Sequence, residues 1–434
     1  VLSAKSVQAF MIAAESGPTE LENVNCEGAV TVHQDPTAPQ DKPIDMRGDT
    51  LQLTRLVVGH KLEITGDPDR PAEVHFPDLS LLGPIITINQ EQNDAEVKGA
   101  GTMRLASTTD FQGNKLAKPT NMTVSWRKEM YFNGLIARFQ EHIQAEQDNT
   151  RLLCHGMEVT LDREVKLNQA ARTSKSPDGK SASVAKVVCE TDGTDGGQPV
   201  SVVDSIYETK GDERRMVRYQ RIESRELLLF KLEGKLEAPG PGEVRILQLG
   251  PKDQTGPLAP PTNVKTKGPQ LPKPVEEEMK LTWVRYDHKL SVFNETRVAT
   301  FWKNVEVLHL PADTPALHQN LNQLINKLPP RALYLKCDML KVFSEDRGAK
   351  KNHVLRAENR ATVQFDNFYG QADTITYNEE KQQVIFEGSK GSPAVLSQLQ
   401  AVGQKPKTFK GYKFTYNRLT GKFDGNDVIS ISEN

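Results

Sequence analysis

Residues able to do chemistry are few and scattered. Four cysteines, Cys26, Cys154, Cys189 and Cys337, lie far apart and form no CxxC pair, so zinc-ribbon and thiol-redox spacings are absent. The nine histidines show no HxH or HExxH. Gly179-Lys180-Ser181 resembles the end of a phosphate loop, but position 174 is Ser where that motif needs Gly, and its flanks do not read strand–loop–helix. Gly99-Ala100-Gly101 and Gly240-Pro241-Gly242 each precede a short strand rather than a helix, so they read as β-turns and not dinucleotide turns. Glu276-Glu277-Glu278 reads as a solvated charge run, and Trp126 and Trp283 as equivalent core positions. Nothing assigns a catalytic residue, a metal or a cofactor, and the expectation is a protein that is not an enzyme.

The elements that hold these residues repeat. Leu2, Ala4, Val7, Ala9 and Met11 match Leu152, Cys154, Met157, Val159 and Leu161, and then Leu335, Cys337, Leu340 and Val342. Met122 to Trp126 matches Met279 to Trp283, and Ala137, Phe139 and Ile143 match Ala299, Phe301 and Val305. Asp49-Thr50-Leu51, followed by Ile64, Gly66 and Ala72, matches Asp373-Thr374-Ile375, followed by Phe386, Gly388 and Ala394. The order suggests three copies of a module of roughly 110 to 160 residues, far longer than a β-helix rung. The expected bounds are 1–120, 121–250 and 279–434, with a Pro-rich linker over 251–278. Cys154 and Cys337 share a module position held by Ala4 in the first copy, which marks a small buried site and four free core thiols.

Within each module the apolar period is two, as in Leu51-Gln52-Leu53 and Leu62-Glu63-Ile64, with Gly, Asn and Asp between segments. The fold class expected is all-β, made of antiparallel modules with one buried and one wet face. One segment departs from this. Thr314 can cap a helix with Pro315 in its first turn. Leu317, Leu321, Leu324, Ile325 and Leu328 recur at helical spacing before Pro329-Pro330. A short inserted helix is therefore expected near 314–328, covering a sheet edge or end.

The segments Asn133 to Phe139, Gln371 to Asn378 and Lys381 to Gly388 resemble the OstA-like (LptA/LptC/LptD N-terminal) family, most closely over 361–388. That resemblance implies repeated β-jellyrolls shaped as V-shaped sleeves. It implies an apolar groove for the acyl chains of lipopolysaccharide, a periplasmic or cell-envelope location, and partners that are lipid, other envelope-transport proteins or further copies joined end to end. This chain is longer than a typical one-module bridge, and it adds the helix and the loop Thr173–Gly197. On the apolar phase, the expected groove-lining residues are Leu62, Ile64, Phe139, Ile143, Phe301, Val305, Val384 and Phe386. Arg138 and Lys303 are expected near the rim for anionic headgroups, and Phe139→Glu with Phe301→Glu should remove lipid while leaving the sheet. The alternative is a scaffold of β-repeats that assembles without cargo.

A formal net charge of −2 over 434 residues gives no electrostatic case for nucleic acid. Starting at Val1 without an initiator Met, the chain reads as processed or truncated, and a membrane anchor before it stays open.

Overall fold

The computed structural model describes the chain apart from residues 13–19, 36–42, 68, 77–78, 112–114, 168–181, 194–196, 212, 252–276, 317–319, 348–349, 366–367, 379–380, 382, 399–405, 418–422 and 434. The body of the expected Pro-rich linker, residues 173–181 and 194–196 of the loop Thr173–Gly197, which include Gly179-Lys180-Ser181, and Leu317 lie outside the described residues. The rest is nearly all antiparallel β-structure with one short α-helix. It forms two compact units, Val1–Val202 with Glu226–Gly234, and Val203–Arg225 with Lys235–Asn434.

In the first unit, two layers of short strands are joined by long strands that cross from one to the other. One layer runs through His60–Thr65, Ile85–Asn89, Asp94–Lys98 and Glu129–Phe132. The second runs through Ala72–His75, Leu79–Gly83, Gly101–Thr109 and Lys115–Trp126. Ile44–Arg55 pairs with the first layer through Thr50–Arg55 and with the second through Asp45–Arg47. Ile136–Gln147 does the same, pairing with Glu129–Phe132 and then with Lys115–Trp126.

A long strand changes layer because its backbone bends at one place. At each bend two consecutive residues take left-handed backbone angles: Gly28-Ala29 and Glu141-His142 here, Lys303-Asn304 and Asn359-Arg360 in the second unit. Each pair stands against a single residue of the neighbouring strand, Asp49, His155, Asp338 and Asp373 respectively. Two residues against one is a β-bulge, which bends the strand and raises its twist. Amides of the preceding segment fasten the corner, as in Arg127 N to Glu141 O at 2.8 Å and Asp287 N to Lys303 O at 2.9 Å.

Alternation sends one side chain in two between the layers. Ile64, Ile86, Val97, Met130 and Phe139 of the first layer meet Val74, Leu81, Val124, Trp126 and Ile143 of the second, and all are buried. The approach is close at the bend: a methyl group on Gly83 would collide with the Val97 side chain, and one on Gly101 with the Trp126 ring.

The second unit repeats the device with Val298–Pro311, Leu333–Arg347, Lys350–Phe365 and Phe368–Asn378 as crossing strands. Its inner face includes Val244, Val284, Val307, Leu335 and Val363 on one layer and Phe301, Leu340, Ile375 and Phe386 on the other. This unit also buries part of its outer face. Leu247, Leu281, Trp283, Leu308 and Leu310 form an apolar patch there, covered by Leu321 and Leu324 of the helix α1, Leu321–Asn326. The helix is shorter than its apolar spacing suggested and starts later. Asn320, not Thr314, caps it: its side chain accepts from the Gln323 amide while the Gln323 side chain accepts from the Asn320 amide. It lies on a sheet face rather than over an edge or end, because two apolar phases on one strand leave a second greasy face to cover.

Candidate functional site

The inner face of the first unit has two tiers. Next to the bend the side chains are sealed from water: Ile64, Val97, Phe139, Val74, Leu81, Trp126 and Ile143. Two residues further along on the same face, several apolar side chains are only half-buried, although Ile88 and Ala95, which stand between Leu62 and Phe132, stay buried. The half-buried ones are Leu62 and Phe132 on one layer, and Phe76, Leu79, Leu105 and Met122 on the other. Leu79 stands opposite Leu105 and Leu105 opposite Met122, so they form one row across three strands. This tier is a set of half-buried apolar side chains on the inner face, beyond the sealed ones.

Of the eight residues that the sequence singled out, Ile64, Ile143, Val305, Val384 and Phe386 are buried, and Phe139 and Phe301 are 2% and 5% exposed. Leu62 alone lies in the half-buried tier. The structure brings Leu62, Ile64, Phe139 and Ile143 together in the first unit, and Phe301, Val305, Val384 and Phe386 in the second. Glu in place of Phe139 or Phe301 would bury a carboxylate in the packed floor, so those variants lose the fold and not merely a ligand. Sequence alternation placed the inward phase but missed Phe76, Leu105, Met122 and Phe132, because distance from the bend decides exposure.

The two cations expected at the rim lie elsewhere. Arg138 points outward and pairs with Glu158 at 2.9 Å, and Lys303 is one of the left-handed bend residues. The tryptophan equivalence also fails. Trp126 stands opposite Gly101 and packs on Phe139 at 5.4 Å; the residue opposite Gly242 and packed on Phe301, at 5.7 Å, is Tyr286. Trp283 is on the opposite face, where it stacks under Arg245 at 4.1 Å and donates to Glu243 at 3.0 Å.

All four cysteines are free and buried. Burial pushes the Cys337 thiol up to about 12, and a hydrogen bond with Cys154 together with burial holds Cys189 well above the usual thiol range. Such thiols are poor nucleophiles.

The densest cluster of titratable groups lies on the outer face of the second unit. Glu223 and Glu243 stand directly opposite, as do Arg221 and Arg245. Burial, then the hydrogen bond with Glu243, raises the Glu223 pKa. Arg221 pairs with Glu223 and Arg245 with Glu243, so the four charges neutralise one another. On the inner face His309, hydrogen-bonded to Thr282 at 2.9 Å, has its pKa lowered to about 4 by burial first and by Lys280 second. Among the described residues no group of three or more His, Cys, Asp or Glu could hold a metal ion, and no helix is long and apolar enough to cross a membrane. No family model matches the chain, and no curated protein matches it.

Proposed function

We propose that this chain is a non-enzymatic lipid carrier of the cell envelope, related in kind to the OstA-like proteins it resembles, that holds the acyl part of a lipopolysaccharide-type lipid in its sleeve. The half-buried apolar tier at the mouth of the first unit carries the reading. Leu62, Phe76, Leu79, Leu105, Met122 and Phe132 keep apolar surface partly in water. Covering it with a hydrocarbon chain stabilises the pair by about 25 cal/mol per Å² removed from water. No reacting group is needed for that.

Ser6–Ile12 and Phe423–Glu433 each pair on one side only among the described residues. Val7, Phe10, Met11 and Ile12, and Val428, Ile429 and Ile431, are exposed. A strand edge with apolar side chains takes up another strand, whether from the rest of a longer chain, from a further copy or from another envelope-transport protein in the periplasm.

Photocrosslinking amino acids at Leu105 and Met122, irradiated in cells, test the proposal. Capture of an acylated lipid at these positions, and none from an outward position such as Arg138, supports it. If neither position captures lipid, the sealed floor of the sleeve favours the scaffold reading.

A further inference from the structure

Both lips of the first unit's sleeve can be followed strand by strand. In one layer Glu226–Phe230 runs outward from the bend, with Glu226 opposite Glu190 and Phe230 opposite Lys186. It ends in the short 3-10 turn Lys231–Glu233, closed by Gly234 in the left-handed region. In the other layer Gly101–Thr109 runs outward from its own bend and ends at Asp110. At the mouth the lips meet: Lys231 Nζ donates to the Asp110 backbone carbonyl at 3.0 Å.

Some cations of this unit pair with carboxylates, as Arg138 does with Glu158 and Arg151 with Glu146. Among the described residues Lys231 forms no salt bridge; its hydrogen-bond partner is a neutral carbonyl. An ammonium has three protons to donate, and this contact uses one. Burial lowers the pKa of Lys231, with the nearby Asp110 acting the other way. A partly dehydrated cation at the end of a strand with half-buried apolar side chains complements an amphiphile with an anionic head and a hydrocarbon tail.

We propose that Lys231 anchors the acidic head of an acyl lipid, a carboxylate or a phosphate, whose chain lies along the half-buried pair Leu105 and Met122, on and beside the strand that ends at Asp110. This rests on the lipid-carrier reading and adds which end of the lipid is recognised and by which residue. The head takes the open donors of the ammonium, and the Asp110 carbonyl keeps the side chain aimed across the mouth.

The test uses the full chain and displacement of Nile red, a neutral apolar dye, by three long-chain competitors: hexadecanoic acid, hexadecyl phosphate and hexadecanol. Hydrogen bonds to charged groups are the stronger class, so at least one anion should displace the dye about 10- to 100-fold better than the alcohol. The better anion distinguishes a carboxylate head from a phosphate one. Lys231→Met should abolish the preference and leave hexadecanol unchanged, whereas Lys231→Arg should retain it. Equal displacement by all three on the native protein, or a preference that survives Lys231→Met, overturns the anchor while leaving the sleeve as a tail binder. Failure of all three to displace dye, or of dye to bind, overturns the carrier reading and the anchor with it.

Discussion

Placing one carboxylate at two depths of the same inner face separates the proposed groove from the packed floor. Met122 is half-buried at the mouth, and Phe139 is 2% exposed beside the bend. Removing the Phe139 ring costs about 3 to 5 kcal/mol through lost contacts and the cavity left behind. A carboxyl fully buried there would have its pKa raised by up to about 3 to 5 units, so keeping it ionised at neutral pH costs about 4 to 7 kcal/mol. Either figure is a large part of a domain's typical stability of about 5 to 15 kcal/mol. Phe139→Glu should therefore lose the cooperative β-sheet signal or melt far below the native chain. At Met122 a glutamate can turn its carboxylate to water, so the loss should be about 1 kcal/mol. Met122→Glu should keep the native circular dichroism spectrum and weaken Nile red binding about tenfold. The assays are thermal melts followed by circular dichroism and dye titration on the same samples. A folded Met122→Glu protein that binds dye as tightly as the native chain would refute the groove. A Phe139→Glu protein as stable as the native one would refute the sealed floor.

His309 is held neutral in the second unit with its pKa near 4, while an unfolded histidine takes its proton near 6.5. The unfolded state thus binds more protons between these values, so this stability is fully present above about pH 6.5 and is lost as pH falls toward 4. The loss is about 3 kcal/mol, and His309→Asn should flatten that part of the pH-dependent melting curve. Leu324→Asp should lift helix α1 from the patch containing Trp283, seen as red-shifted tryptophan emission and a loss of about 2 to 5 kcal/mol. At the left-handed bend residue Lys303, Lys303→Val should destabilise by about 1 kcal/mol and Lys303→Gly should be tolerated, read from chemical denaturation midpoints.

Alternation along the chain determined a great deal by itself. In a strand, residues two apart share a face, so the inward phase of Ile64, Phe139, Ile143, Phe301, Val384 and Phe386 follows from local spacing, and all are buried. The internal matches carried register as well. Asp49 and Asp373 each stand opposite a left-handed pair, Val7 stands opposite Cys26 as Met157 does opposite Cys189, and Cys154 and Cys337 face Ile143 and Val305. Apolar spacing also announced a helix near 314–328, but only the backbone showed that it is confined to Leu321–Asn326 and capped by Asn320. Only the tertiary structure decided the rest. Met122 and Val124 share a face and differ in exposure because one is nearer the mouth, a distance set by where the strand bends. Trp283 and Trp126 look alike in sequence yet face opposite ways, since Tyr286 and not Trp283 stands opposite the bend glycine. Lys231 and Asp110 meet from positions 121 residues apart, a contact that exists because two layers folded from one bent strand set bring their free ends together.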